Sequence, residues 1–345
     1  MLSYTRLSDA VVGDAELLTM ALEGVVGAAR LSHPNVAQIF ELGREGDELY
    51  VVGEFLNGLS LEALFERCGR ALSTQIYARV LCDALAGLHA AHEQRDKRGA
   101  PLGLVHADLS AESVVVTACL GETKVRDLGS ARVAPTLYRQ RPLELERRVA
   151  RLAPEQVRGA PDAAGPGVDV FAVGLLLFRA LAGRPLWAGQ RPTEILERLD
   201  AGRIPPTREA APHAPAELVA ICDRALAPRP ADRYPTALAF RQALEGYLER
   251  SGASPKREQI GHVVEELFGD EQAKLSEALL AHRAACPAPD DMLLVQPSGE
   301  LSAPDEATAP PAEPPAHPYR GRPRAPRPPA ADLAGATSPS GRSSA

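Results

Sequence analysis

The sequence predicts an α+β protein, a small strand-bearing lobe followed by a larger helical one. Three observations lead there. Two β-patterned runs, Val36 to Leu42 and Glu48 to Phe55, flank a turn at Gly46-Asp47. A long amphipathic helix follows from Thr74 to Glu93, with Ala78, Leu81, Leu85 and Leu88 on one face. Beyond two further short β segments, the chain is helix-patterned to about residue 250.

In order, Ala15 to Leu31 reads as a helix ahead of the paired strands. The short β segments are Ser113 to Thr117 and Thr123 to Arg126. Gln259 to Ala285 returns to helical spacing, with Ile260, Val263, Val264, Leu267 and Phe268 suited to docking on the domain or on a partner. From about Pro287 the composition turns to Pro, Ala, Ser and Arg, too poor in apolar surface to offset the entropy of ordering, which predicts disorder.

The 345 residues are 45% hydrophobic but only 4% aromatic, so aliphatic packing must build the core. The net charge of -7 gives no reason to expect a nucleic-acid partner. Five scattered cysteines without a C-x-x-C pair suggest neither a disulfide framework nor a zinc site. The N-terminus has no basic segment followed by an apolar stretch. The most apolar run, Val170 to Leu177, falls far short of the roughly 20 residues of a membrane span. The expected setting is cytoplasmic.

Three triplets carry a family resemblance. Val105-His106-Ala107-Asp108-Leu109 precedes the first short β segment, Asp127-Leu128-Gly129 ends the second, and Ala153-Pro154-Glu155 follows after a loop. Their order and spacing resemble the catalytic loop, the metal-binding triplet and the APE motif of protein kinases. Leu31-Ser32-His33-Pro34-Asn35-Val36, Leu49 to Phe55, Asp169 to Gly174 and Pro230-Ala231-Asp232-Arg233-Tyr234 add to the likeness. The chain is identified as resembling bacterial (Hanks-type) Ser/Thr kinases over residues 1–250. The resemblance implies a two-lobe fold: a truncated N-lobe over 1–56, a helical C-lobe over 57–250, an amphipathic helical extension over 251–286 and a disordered tail over 287–345.

The resemblance also assigns roles. Asp108 takes the place of the base that accepts the substrate hydroxyl proton. Asp127 takes that of a magnesium ligand, and Ser113 replaces the asparagine that holds a second ion. Glu54, Phe55 and Leu56 form the hinge against which ATP would lie. His106, Glu155, Asp169 and Arg233 are structural: His106 packs in the large lobe, Asp169 ties the catalytic-loop backbone to its helix, and Glu155 pairs with Arg233. Gly53 stands at the gatekeeper position. That leaves the back of the pocket to be filled by a ligand or closed by collapse of its apolar neighbours.

Other parts of the machinery are absent from these positions. Leu2 to Leu7 aligns with the third strand, yet the first lysine of the chain is Lys97, and Thr5 falls where the phosphate-binding lysine should be. Its glutamate partner should fall near Gly24; Glu23 is one residue away, about 100° around a helix. No G-x-G precedes Lys97, Ala107 replaces the loop arginine and Ser110 the loop lysine. Loss of one preorganised contact typically costs about 10² to 10³ in rate. The expectation is a pseudokinase that scaffolds or regulates a protein partner, such as an active kinase or a phosphoprotein. The alternative is a weak Ser/Thr kinase using Asp108, Asp127, ATP and one Mg²⁺, and a third class is a structural module that binds no nucleotide.

The segment Gly129 to Leu152 carries Arg132, Arg139, Arg141, Arg147, Arg148 and Arg151 against Glu144 and Glu146. Such a basic stretch is a solvated surface or a dock for an acidic or phosphorylated partner. Ser130, Thr136 and Tyr138 are its hydroxyl groups. In the tail, Arg320, Arg322, Arg324 and Arg327 alternate with prolines, as in a linker or an extended ligand.

Overall fold

A computed structural model describes residues 2–7, 9–46, 48–129, 148–159, 165–253 and 255–285. The segment that carries Ser130, Thr136 and Tyr138 and the proline-rich tail lie outside the described residues. The small lobe begins with strand β1 (Leu2–Arg6), a turn of helix α1 (Asp9–Val12) and helix α2 (Ala15–Ala29), then strands β2 (Ile39–Glu45) and β3 (Glu48–Glu54). The sheet order is β1-β3-β2, antiparallel throughout, and Thr5 faces Val51. Asp14 caps α2 by accepting hydrogen bonds from the N–H groups of Glu16 and Leu17. The helix buries Leu17, Ala21, Gly24, Val25 and Ala28, one continuous stripe at helical spacing.

Strand β2 starts three residues later than the sequence pattern places it. Val36 is used elsewhere, as a buried parallel bridge partner of Val125. The N–H of Ala37 donates to the carbonyl of Val125, and that of Val125 to the carbonyl of Asn35, so this stretch ties the two lobes together. A bulge between Ile39 and Glu41 leaves Phe40 exposed.

The large lobe follows: β4 (Gly58–Ser60), α3 (Leu61–Cys68), α4 (Thr74–His92), β5 (Val114–Thr117), β6 (Thr123–Val125), α5 (Pro154–Arg158), α6 (Gly167–Ala182), α7 (Pro192–Asp200), α8 (Thr207–Ala210), α9 (Ala216–Ala225) and α10 (Ala237–Arg250). Strands β4, β5 and β6 make a second antiparallel sheet in that order. Helices α4 and α6 are buried over most of their length and share one large core with α9 and α10. Among the described residues, the small lobe has two modest clusters. One of them, Ala28, Leu31, Val36, Ala91, Leu104 and Leu128, joins α2 to the large lobe.

Helix α11 (Arg257–Ala285) closes the described chain. Ile260, Val264 and Phe268 are buried in the large-lobe core, and Arg257 pairs with Asp83 at 3.0 Å. Gly261 lies so close to the turn after β5 that a Cβ there would stand 2.4 Å from the carbonyl oxygen of Cys119. Among the described residues, no helix is long and apolar enough to cross a membrane.

Candidate functional site

A cavity of about 290 Å³ lies between the two sheets. Strand alternation turns Ser3 and Thr5 of β1 and Val51 and Gly53 of β3 toward it, and Glu54, Phe55 and Leu56 continue its wall. The apolar neighbours of Gly53 do not collapse into the space at its Cα. The cavity stays open, but the space beside Gly53 itself is taken by polar atoms, the carbonyl of Gln38 and the hydroxyl of Ser3 lying 3.1 and 3.2 Å from where a Cβ would stand.

The expected Lys–Glu pair has neither member. Thr5 lines the cavity. Gly24 lies against Gly129, where a Cβ would stand 2.1 Å from the Gly129 carbonyl oxygen. Gly129 has φ +87 and would itself meet the Gly24 carbonyl. The two backbones touch, and no side chain fits between them. Lys124, whose place opposite Val115 puts it on the cleft side of β6, spends its ammonium on Glu54 at 2.7 and 2.9 Å. Glu54 also accepts the N–H of Gln38.

Asp169 builds the floor of the catalytic loop from α6. Fully buried, it accepts the N–H groups of His106 and Ala107, each at 2.9 Å, and bonds the His92 ring at 2.8 Å. Burial alone would raise this carboxyl. The His92 hydrogen bond, the charges of His92 and His106 and the backbone N–H outweigh it and hold the pKa below the usual range. Ala107 adopts φ 65, unfavourable for a residue with a Cβ, and is fixed there from both sides: its N–H goes to Asp169 and its carbonyl accepts the amide of Gln156. His106 is buried, and its Nε2–H donates to the carbonyl of Arg126, as that acceptor requires.

Asp108 follows. Its carboxylate lies between the guanidinium groups of Arg148 and Arg151, the latter at 3.4 Å. Two of the loop arginines are therefore countered by a carboxylate outside their own segment. Ser113 is buried, its hydroxyl 3.2 Å from that of Ser110. Asp127, at φ 62, meets the Nε of the preceding Arg126 at 2.8 Å. Arg126 lines the cavity with half of its side chain exposed.

Magnesium demands several oxygen ligands in a near-octahedral array. The donors of the cleft do not fit it. The Oδ2 of Asp127 accepts the Nε–H of Arg126, Glu54 is bound to Lys124, and the hydroxyl of Ser113 is buried against Ser110.

Beneath the loop, Arg233 and Glu155 form a two-pronged ion pair at 2.6 and 2.8 Å, at most 2% exposed. Arg233 also donates to the carbonyls of Ala227 and Gly167 and stacks over Phe171. Sequence reasoning missed Arg126, the Lys124–Glu54 pair, the grip of Gln156 and the His92 contact. The first two carried a signal: strand alternation puts Lys124 of β6 and Arg126, just beyond its end, on one face.

A two-lobe fold, a cleft walled by a hinge strand and a loop held by a buried aspartate define the protein-kinase-like class of domains. The protein kinase domain family matches residues 16–245, and the chain belongs to it. Among curated relatives, it is 36% identical over 252 residues to the tyrosine-protein kinase MasK of Myxococcus xanthus, covering 71% of this chain and 38% of that protein. It is 30% identical over 238 residues to the serine/threonine-protein kinase PknL of Mycobacterium tuberculosis, covering 69% of this chain and 56% of that one. The chain thus spans less than two thirds of these relatives' length. The solved kinase domain of PknI from Mycobacterium tuberculosis has the same fold: TM-score 0.55, 23% identity, 71% of this chain and 85% of that chain.

Proposed function

We propose that this kinase domain is a pseudokinase: it acts by binding, as a regulatory or scaffolding module for a protein partner in phospho-signalling, with a nucleotide held in its cleft as a ligand. The state of Asp108 carries this reading. A group that accepts the proton of a substrate hydroxyl must present its carboxylate to that hydroxyl. Here the carboxylate is turned to Arg148 and Arg151. Thr5 and Gly24 add to the argument, since they stand where kinases place the lysine that pairs the α- and β-phosphates and the glutamate that holds it, and neither carries charge. A phosphoryl group on a partner offers the two arginines a more highly charged acceptor than Asp108. An active kinase or a phosphoprotein is the partner class this suits. The described cysteines are all unpaired, which agrees with a cytoplasmic setting.

The test is transfer of labelled γ-phosphate from ATP to the chain itself and to generic protein acceptors with Ser, Thr and Tyr, in Mg²⁺ or Mn²⁺. Transfer no greater than that of the Asp108→Asn variant is expected. Transfer that Asp108→Asn abolishes would establish the second reading, a weak protein kinase using Asp108 and Asp127. The kinase names of the relatives favour that reading. It requires Arg126 to leave Asp127.

A further inference from the structure

We propose that Arg126 occupies, on Asp127, the place of a divalent cation, so that the cleft takes a phosphate-bearing adenine nucleotide without metal. The inference rests on the nucleotide reading above and names how the phosphates are held.

Four observations lead to it. Arg126 is the cation among the described residues that line the cavity, and the neighbouring Lys124, which does not line it, is committed to Glu54. Its backbone is fixed at both ends: the N–H donates to the carbonyl of Ser113 at 2.9 Å, and its own carbonyl accepts the His106 ring at 3.0 Å. The side chain is therefore delivered to the cleft from a rigid strand end. Its Nε engages Asp127 at 2.8 Å, which orients the guanidinium plane and leaves the two terminal amino groups as a fork. That fork matches the spacing of phosphate oxygens. The Oδ2 of Asp127 is taken up by the Nε–H of Arg126, and Ser113 adds no open ligand.

The electrostatic role of the metal thus falls to a side chain. A metal bridges carboxylate and phosphate by accepting oxygens from both; the guanidinium bridges them by donating N–H groups to both. The cavity volume of about 290 Å³ suits an adenine and its ribose, with the phosphates directed to the Asp127 end.

Calorimetric titration of the full chain tests this with three ligands: adenosine, ATP in EDTA, and ATP in excess Mg²⁺, each against wild type and Arg126→Met. Wild type should bind ATP in EDTA more tightly than adenosine and within about twofold of its affinity in Mg²⁺. Arg126→Met should lose about tenfold in affinity for ATP in EDTA, the loss of one charged hydrogen-bond partner, and keep its affinity for adenosine, which also shows that the variant is folded. Wild-type binding of ATP that requires Mg²⁺ overturns the proposal. So does Arg126→Met binding ATP in EDTA as well as wild type. Adenosine binding with no gain from the phosphates overturns the role of Arg126 alone. Failure of both adenosine and ATP to bind wild type overturns the nucleotide reading and this proposal with it.

Discussion

Glu155 and Arg233 meet in the large lobe with both prongs engaged and at most 2% of either side chain exposed. Arg6 and Glu48 meet on the small-lobe sheet at a similar distance, 2.7 Å, with about half of each in water, 46% and 53%. The two pairs look alike as contacts and differ in consequence. A buried pair cannot lose one member without stranding the other charge, whereas water replaces either member of an exposed pair. The same contrast separates the lobes. The large lobe is one continuous core with buried polar anchors, and the small lobe is a thin sheet with two small clusters. Chemistry can therefore change in the cleft at little cost to the fold.

The comparison can be broken at four points. Glu155→Ala should destabilise the domain by about 3–5 kcal/mol in urea denaturation, because Arg233 is left buried and unpaired. A loss below about 1 kcal/mol would erase the distinction between the two pairs. Gly24→Ala should cost about 1–3 kcal/mol, since the new methyl meets the Gly129 carbonyl and backbone must move. A wild-type urea midpoint there would show that the lobes are not in contact at that point.

The third point is acid. The pKa of Asp169 is depressed in the folded state, so its contribution is complete above the unfolded value near 3.9 and drains as pH falls through the lower folded value. Stability followed from pH 6 downward should stay level on this account until about pH 4 and then decline. Asp169→Asn should flatten part of that decline. Smallest is Arg6→Ala, which should leave the thermal midpoint at its wild-type value within error.

The fold was legible where the pattern is local and periodic. The apolar stripe of Thr74 to Glu93 and the triplets around Asp108, Asp127 and Glu155 located the large lobe and its loop. Short elements were not: β4, of three residues, and α3 have too little period to stand out. Val36 carried a strand-like side chain but serves as a bridge between lobes, a use that only Val125 on the far side could reveal. In the site, the missing lysine and glutamate could be read directly. The arrangement that replaces them could not, because Arg148 reaches Asp108 across 40 positions of chain. Counting Glu144 and Glu146 as the only opposing charges left out the carboxylate that matters. Arg126 was within reach, since its neighbour Asp127 was already assigned and alternation gives the face.

Helix α11 bears on how the chain carries load. Its first turns are set into the large lobe through Ile260, Val264 and Phe268, and backbone meets backbone where Gly261 abuts Cys119 and Gly121 abuts Arg257. Cys119 and Gly121 sit on the turn between β5 and β6, and β5 is hydrogen-bonded to β4 just past the hinge. The helix runs for 29 residues, and its first turns are anchored in the large lobe. Tension or torque applied near Ala285 would be transmitted along it to that turn and from there to the wall of the cleft, making the last helix a lever on the pocket.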